Sequence, residues 1–289
     1  MSANAVPNRL RPEHWAVPAV MLLLTAPVWV RGHDAEWFYA LNRHLAVVPD
    51  AVWAFFSLLG TGWAVYALTA TSLWLAPRVL LSWLCAAPVA GVVTRIGKML
   101  ADNPRPLEVL GPEGVNLIGE PLFIAAMPSG HTITGFAAAT ALYFALTRAR
   151  AHAQGAQSVP VPLPLPWGTW RMPKALLATL LFGVAVGVGL SRVAVGAHWP
   201  ADVCVGAALG ILSGLTGVVL CQRIADRYLT LHSWVLRGVA LFGVYCLYVL
   251  ATDPMGFDIN HGAQMVLSGL LTLCLLRFLW KTCTSTTNT

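Results

Sequence analysis

Charge is what this chain has least of. Of its 289 residues only 10% are Asp, Glu, Lys or Arg, against about 25% in a soluble domain. Only twelve are acidic, and outside the stretch from Ser191 to Asp202 no cluster of Asp, Glu and His has the spacing of a metal site. Neither a metal nor any other cofactor is therefore expected. No C-x-x-C pair occurs among the six cysteines. Cys85, Cys204, Cys221, Cys246 and Cys274 lie in or beside apolar stretches and read, with Cys283, as small apolar fillers rather than disulfides or ligands. No repeat of fixed period and no polar stretch long enough for a separate soluble domain is present. These absences exclude a water-soluble enzyme, a disulfide-stapled secreted domain and a solenoid.

What fills the space is apolar: 57% of the residues are hydrophobic, with twelve Trp suited to interfacial belts. The chain reads as an all-α, polytopic membrane protein. Eight runs approach the ~20 residues that cross a bilayer. They are His14–Val30, Ala51–Ala76 with a Gly-Thr-Gly break at 60–62, Val79–Leu100, Ser129–Leu146, Ala175–Leu190, Ala201–Cys221, Ser233–Leu250 and Ala263–Trp280. The first resembles a signal sequence but lacks a small-residue cleavage site, so it counts as a span. Trp37, Leu41, Leu45 and Val48 share one helical face, which suits a helix lying in the interface or an ordinary connecting helix. The P-V-P-L-P-L-P run in the loop from Arg148 to Lys174 predicts extended polyproline.

Eight spans put both termini on one side, where twelve of the eighteen Lys and Arg fall. The positive-inside rule makes that side cytoplasmic. The net charge of +6 thus follows from topology, and no nucleic-acid partner is implied. The partner is the lipid bilayer itself; oligomeric state is not legible. The six outer cations are the exception: Arg31, Arg43, Arg95, Lys98, Arg105 and Arg192.

Three outer stretches carry chemistry. Lys98 closes the third span, and Arg105 follows seven residues later, past the helix-stopping Pro104. Alone, these are a snorkelling Lys and a loop Arg. Pro128-Ser129-Gly130-His131 opens the fourth span: Ser129 suits an N-cap, Gly130 permits close backbone approach, and the helix amides face whatever lies above. Alone, this is a capped helix with a surface His. Ser191 to Asp202 joins the fifth and sixth spans, with Arg192 ending one helix, Pro200 and Asp202 opening the next, and His198 four residues before Asp202. Alone, this is a capping Asp near an interfacial His. Together, three cations, two histidines and two helix N-termini on one membrane face describe a phosphate site. Charged groups at that boundary are costly and usually functional.

The same residues resemble the type 2 phosphatidic acid phosphatase superfamily of membrane lipid phosphatases. Its signature is K-x6-R-P, P-S-G-H and S-R-x5-H-x3-D. All eleven fixed positions match here, from Lys98, Arg105 and Pro106 through Pro128–His131 to Ser191, Arg192, His198 and Asp202. Asp34–Asn42 and Ser57–Gly60 resemble the family's opening. The resemblance spans about Asp34 to Cys221 and implies a six-helix phosphatase core, residues 1–230, followed by an additional helix pair and polar tail, 231–289. It implies a nucleophilic His198 that forms a phosphohistidine. Asp202 holds its ring, and His131 protonates the leaving oxygen and then activates water. Lys98, Arg105, Ser129, the Gly130 amide and Arg192 bind the phosphate.

The expected activity is metal-independent hydrolysis of a lipid phosphate or polyprenyl diphosphate at the outer face of the plasma (inner) membrane. Undecaprenyl diphosphate, phosphatidylglycerophosphate, phosphatidic acid and lipid A phosphate are the candidate substrate types. A lipid-to-lipid phosphotransferase would use the same phosphohistidine. A transporter or lipid-binding pseudoenzyme is the alternative from another class. Arg95 either extends the positive field or pairs with Asp102. Glu108, Glu113, Glu120, Asp253 and Asp258 read as solvated loop charges, and His44 and His261 as structural.

Overall fold

The computed structural model describes residues 10–31, 35–148 and 161–284. The expected all-α membrane bundle is what the chain forms. In order the helices are α1 Pro12–Arg31, α2 Ala35–Leu45, α3 Asp50–Leu59, α4 Gly62–Thr69, α5 Ser72–Leu75, α6 Pro77–Ala101, α7 Pro106–Leu110, α8 Gly130–Arg148, α9 Lys174–Ala194, α10 Pro200–Gln222, α11 Trp234–Thr252 and α12 His261–Thr284. Among the described residues, five segments are long and apolar enough to cross a membrane: those containing α6, α9, α10, α11 and α12. The α3–α4 pair qualifies as a bent sixth.

The bundle is built around α10, which packs on α8, α6 and α1. Lipid tails offer helices no hydrophobic incentive to associate, so close packing of small residues has to supply it. Gly206, Gly210 and Gly214 recur every fourth residue and present one bare stripe to α8. A Cβ on Gly210 would lie 2.6 Å from the Ile133 carbonyl oxygen, and one on Gly214 2.6 Å from Thr140 Cβ. The backbones therefore approach to a distance that no side chain permits. This seam fixes where α10 begins relative to where α8 begins, and both starts lie at the end of the bundle that carries the signature.

The break in the second span is sharp. The axes of α3 and α4 differ by 75°. Thr61 caps α4 by accepting the Ala64 N–H at 3.2 Å. At Gly60 a Cβ would meet Val188 Cγ1 at 2.6 Å and His131 Cβ at 3.0 Å. The glycine lets the bend nest against α8 and α9.

One expectation needs correction. The described part of the proline-rich run, from Val161, is not free polyproline but the first strand of a hairpin, β1 Val161–Leu165 with β2 Gly168–Met172. Prolines at 162 and 164 alternate with Val161, Leu163 and Leu165, so their missing N–H groups fall at the positions that face away from the partner strand. The earlier part of that loop, 149–160, lies outside the described residues. In α2 Trp37 is exposed, Leu41 and Leu45 are half-buried against the core, and Phe38 and Asn42 are buried. Asn42 decides the orientation: its Nδ2 donates to the carbonyls of Val193 (2.9 Å), Ala194 (3.1 Å) and Asn116 (3.2 Å), and its Oδ1 accepts the Asn116 N–H at 2.8 Å. A buried amide with every demand met outweighs an indole that the interface accommodates equally well.

The helix pair α11–α12 packs on α4. Tyr66, fully buried, donates its hydroxyl to the Val239 carbonyl at 2.6 Å. Leu241, Val266 and Leu273 point outward and are largely exposed, as a lipid-facing surface requires.

Candidate active site

Four connections meet at one end of the bundle: the bend after α3, the 102–129 loop, the α9–α10 turn and the α11–α12 turn. The α9–α10 turn is the tightest. Gly196 adopts φ +75°, which turns the chain back so that the N–H groups of Ala197 (3.1 Å) and His198 (3.0 Å) both donate to the Arg192 carbonyl. Any side chain at 196 would also strike Val115 Cγ1 at 2.5 Å. Pro200 opens α10, as its fixed φ favours. Asp202 reaches back from the first turn, and its Oδ2 accepts the Trp199 N–H at 2.9 Å.

That same oxygen lies 3.3 Å from His198 Nδ1. Because Oδ2 is already an acceptor, the ring nitrogen facing it is the protonated one, and the lone pair sits on Nε2. His198 Nε2 faces Arg105, with Nη1 3.4 Å away. The ring is 3% exposed. Burial first, then the charges of Arg105, Arg192 and Lys98, hold its pKa well below the usual imidazole range. His198 is therefore neutral at pH 7, with an unprotonated nitrogen directed at a guanidinium.

The cations are held by backbone carbonyls. Arg105 is 9% exposed. It donates from Nε to the Ile124 carbonyl (2.7 Å), and from Nη1 to that of Ala197 (2.9 Å). Lys98 donates to the Ala125 carbonyl. Arg192, 3% exposed, donates from Nη1 to the Ser57 hydroxyl. Its Nε is buried with no partner, as is Asp202 Oδ1. A buried guanidinium donor left open is what a site awaiting an anion looks like. Among the described residues, no carboxylate pairs with Lys98, Arg105 or Arg192 in an ion pair.

The P-S-G-H stretch is tied to the same place. The Ser129 N–H donates to the Asp202 carbonyl at 3.1 Å, and the Ser129 hydroxyl accepts from Thr132 at 2.9 Å. Gly97, beside Lys98, leaves room for Pro128, whose Cδ would lie 2.6 Å from a Cβ there. Gly130 and His131 open α8 and line a cavity of about 870 Å3. Lys98 and Arg95 share that end of the cavity. Its walls are apolar, from Trp83, Ala87 and Ala90 of α6, Trp63 of α4 and Phe242 of α11.

Residues 78–226, more than half of the chain, match the PAP2 superfamily. The chain belongs to the PAP2 superfamily. It is a lipid phosphatase of that superfamily. No curated protein matches the sequence. Among solved structures it is similar to the crystal structure of Aquifex aeolicus LpxE, with 25% identity and a TM-score of 0.47 over 65% of this chain and 94% of that one.

All eight candidate residues reach this end of the bundle. The structure also adds residues the motifs do not name. Ser57 accepts from Arg192, and Trp199 Nε1 donates to the Pro104 carbonyl at 2.9 Å, fastening the loop before Arg105. The Asn42 clamp holds the end of α9. Asp34, from the same opening stretch, lies outside the described residues. Arg95 lines the cavity and forms no ion pair with Asp102. Glu108, Glu113 and Glu120 are exposed. Among the described residues, no three His, Cys, Asp or Glu side chains are grouped to hold a metal ion.

Proposed function

We propose that the chain hydrolyses a phosphate monoester or diphosphate of a membrane lipid through a phosphohistidine on His198. The carrying observation is His198 itself, held by Asp202 at Nδ1 while Nε2 faces Arg105. In the first step Nε2 attacks phosphorus, the bond to the lipid oxygen breaks, and His131 gives that oxygen a proton. In the second step water attacks phosphorus, the P–N bond breaks, and His131 takes a proton from the water. Lys98, Arg105 and Arg192 meet the charge on the phosphoryl oxygens, with Ser129 and the Gly130 amide as further donors. Fixed donors of this kind account for most of the catalysis in phosphoryl transfer. In this reading no divalent ion is required.

The cavity supports a lipid as substrate. A phosphate at Lys98 and His131 would leave its apolar tail between α4, α6, α8 and α11. The candidate types are phosphatidic acid, phosphatidylglycerophosphate, lipid A phosphate and undecaprenyl diphosphate. The Lys/Arg bias supports an outward-facing site in the plasma (inner) membrane with cytoplasmic termini; of the cations counted on the terminal side, Arg9 and Arg150 lie outside the described residues. Residues 1–230 form the phosphatase core in this reading, and 231–289 the added pair and tail.

The test is phosphate release by purified protein across these lipids, beside His198→Ala. Release by the wild type and none by the variant is expected. Equal release by both would overturn the assignment.

A further inference from the structure

The α11–α12 pair lies beyond the residues that match the superfamily. We propose that it completes the phosphate site, with Phe257 in its connecting turn acting as a positioning residue for Arg192. This rests on the reading of Arg192 as a phosphoryl-oxygen ligand.

The turn is fastened to the core at separate points. Asn260, 4% exposed, donates from Nδ2 to the Ala54 carbonyl of α3 at 2.8 Å. The Gly256 carbonyl accepts the Glu120 N–H of the 102–129 loop at 3.1 Å. Gly119 has φ +85°, and a Cβ there would lie 2.7 Å from the Phe257 ring. The ring is buried in a cluster with Trp53, Ile118, Ala194 and Val195. These contacts leave Phe257 one place to go, and it brings the ring centroid to 6.0 Å from the Arg192 guanidinium carbon.

The choice of an aromatic ring has a physical logic. Arg192 is buried, and a buried cation needs compensation. A carboxylate would supply it but would also neutralise the charge and compete with phosphate for the same donors. The ring face attracts the guanidinium through its quadrupole without accepting its N–H groups. With Nη1 on Ser57 and the ring alongside, Nε stays open. The pair of added helices thus steadies the cation while preserving its demand for an anion.

The test uses the full-length protein and orthovanadate, whose binding is measured directly by Trp fluorescence and does not require turnover. Phe257→Leu keeps apolar bulk and removes the ring. It should weaken vanadate binding and lower kcat by about three- to thirty-fold, with KM changing less. Phe257→Tyr should stay within about twofold of the wild type, because the ring face remains. In an Arg192→Ala background Phe257→Leu should have no further effect on vanadate, since the interaction is already gone. Should Phe257→Leu fail to fold, Phe257→Met, which keeps a longer apolar side chain without the ring, should give the same graded loss and the same silence beside Arg192→Ala. A Leu variant equal to the wild type, or an equal loss with and without Arg192, overturns the proposal. Wild-type protein that binds vanadate in this pattern but releases phosphate from no lipid would overturn the hydrolase reading and leave the positioning role standing. Absence of vanadate binding would overturn both.

Discussion

Replacing Asp202 by Asn removes one charge and little else. A single oxygen, Oδ2, serves both His198 Nδ1 (3.3 Å) and the Trp199 N–H (2.9 Å), while Oδ1 has no partner. Both neighbours present a proton, so the Asn amide must place its oxygen there. The flipped amide would set its NH2 against the Trp199 N–H, donor to donor. The variant therefore keeps the cap on α10 and the tautomer of His198, because the Asn oxygen at the third helical position still accepts the Trp199 N–H and faces Nδ1. What it loses is the negative charge beside a ring that becomes cationic as phosphorus bonds to Nε2. Two charges about 4 Å apart interact by roughly 4 kcal/mol at an effective dielectric constant near 20. At 1.36 kcal/mol per decade that is a fall of about 10^3 in kcat. The amide NH2 takes the place of Oδ1 without an acceptor, so unfolding stability should also drop by about 1–3 kcal/mol. The assay is initial-rate phosphate release from a short-chain phosphatidic acid in detergent, beside thermal unfolding. A rate loss below about tenfold would refute the argument and leave Asp202 as a helix cap.

Further predictions concern charge, metal and sidedness. Burial and Arg105 depress the His198 pKa, so the nucleophile stays unprotonated as pH falls through the ordinary range near ~6.5. Arg105→Gln should move the acid limb of kcat/KM to higher pH, and an unmoved limb would detach Arg105 from His198. Activity should survive excess EDTA; abolition by EDTA with restoration by Mg2+ would contradict the cation clamp. Val109→Cys, beyond Arg105, should react with an impermeant thiol reagent in intact cells, and Trp167→Cys, at the tip of the β1–β2 hairpin, should not. The reverse pattern would turn the site to the cytoplasm.

Much of this site is legible from sequence because the chain is so poor in charge. Lys98, Arg105, Arg192 and Asp202 stand out against apolar spans, and Pro200 and Ser129 mark where helices begin. The break at 60–62 follows from its glycines, whereas the eight spans read from apolar runs compare with five segments and one bent pair long and apolar enough to cross a membrane among the described residues. The rest depends on tertiary placement. Ser57 opens a stretch that resembles the family's, but it has no role in the sequence until α3 brings it to Arg192. Asn42 closes the other stretch that resembles the family's opening, and only the fold shows that it secures the end of α9. Phe257 lies 65 residues after Arg192 in a turn of ordinary composition, and only the docking of α11–α12 makes them neighbours. The glycine stripe of α10 is a different case, because its four-residue spacing is visible in the sequence as a close-packing seam. The proline run misleads because alternation of proline with apolar residues suits an unpaired strand edge as well as a free extended chain.

The most direct test is to trap the phosphorylated enzyme. Protein carrying His131→Ala, mixed with a lipid diphosphate labelled in its terminal phosphate and quenched in alkali, should retain label, because a phosphate leaving group departs without the proton His131 supplies while loss of the group that activates water slows the second step. Peptide mapping should place the phosphate on His198, and the label should vanish in the double variant with His198→Ala. Label on another residue, or phosphate release with undiminished kcat from His198→Ala protein, would contradict the account.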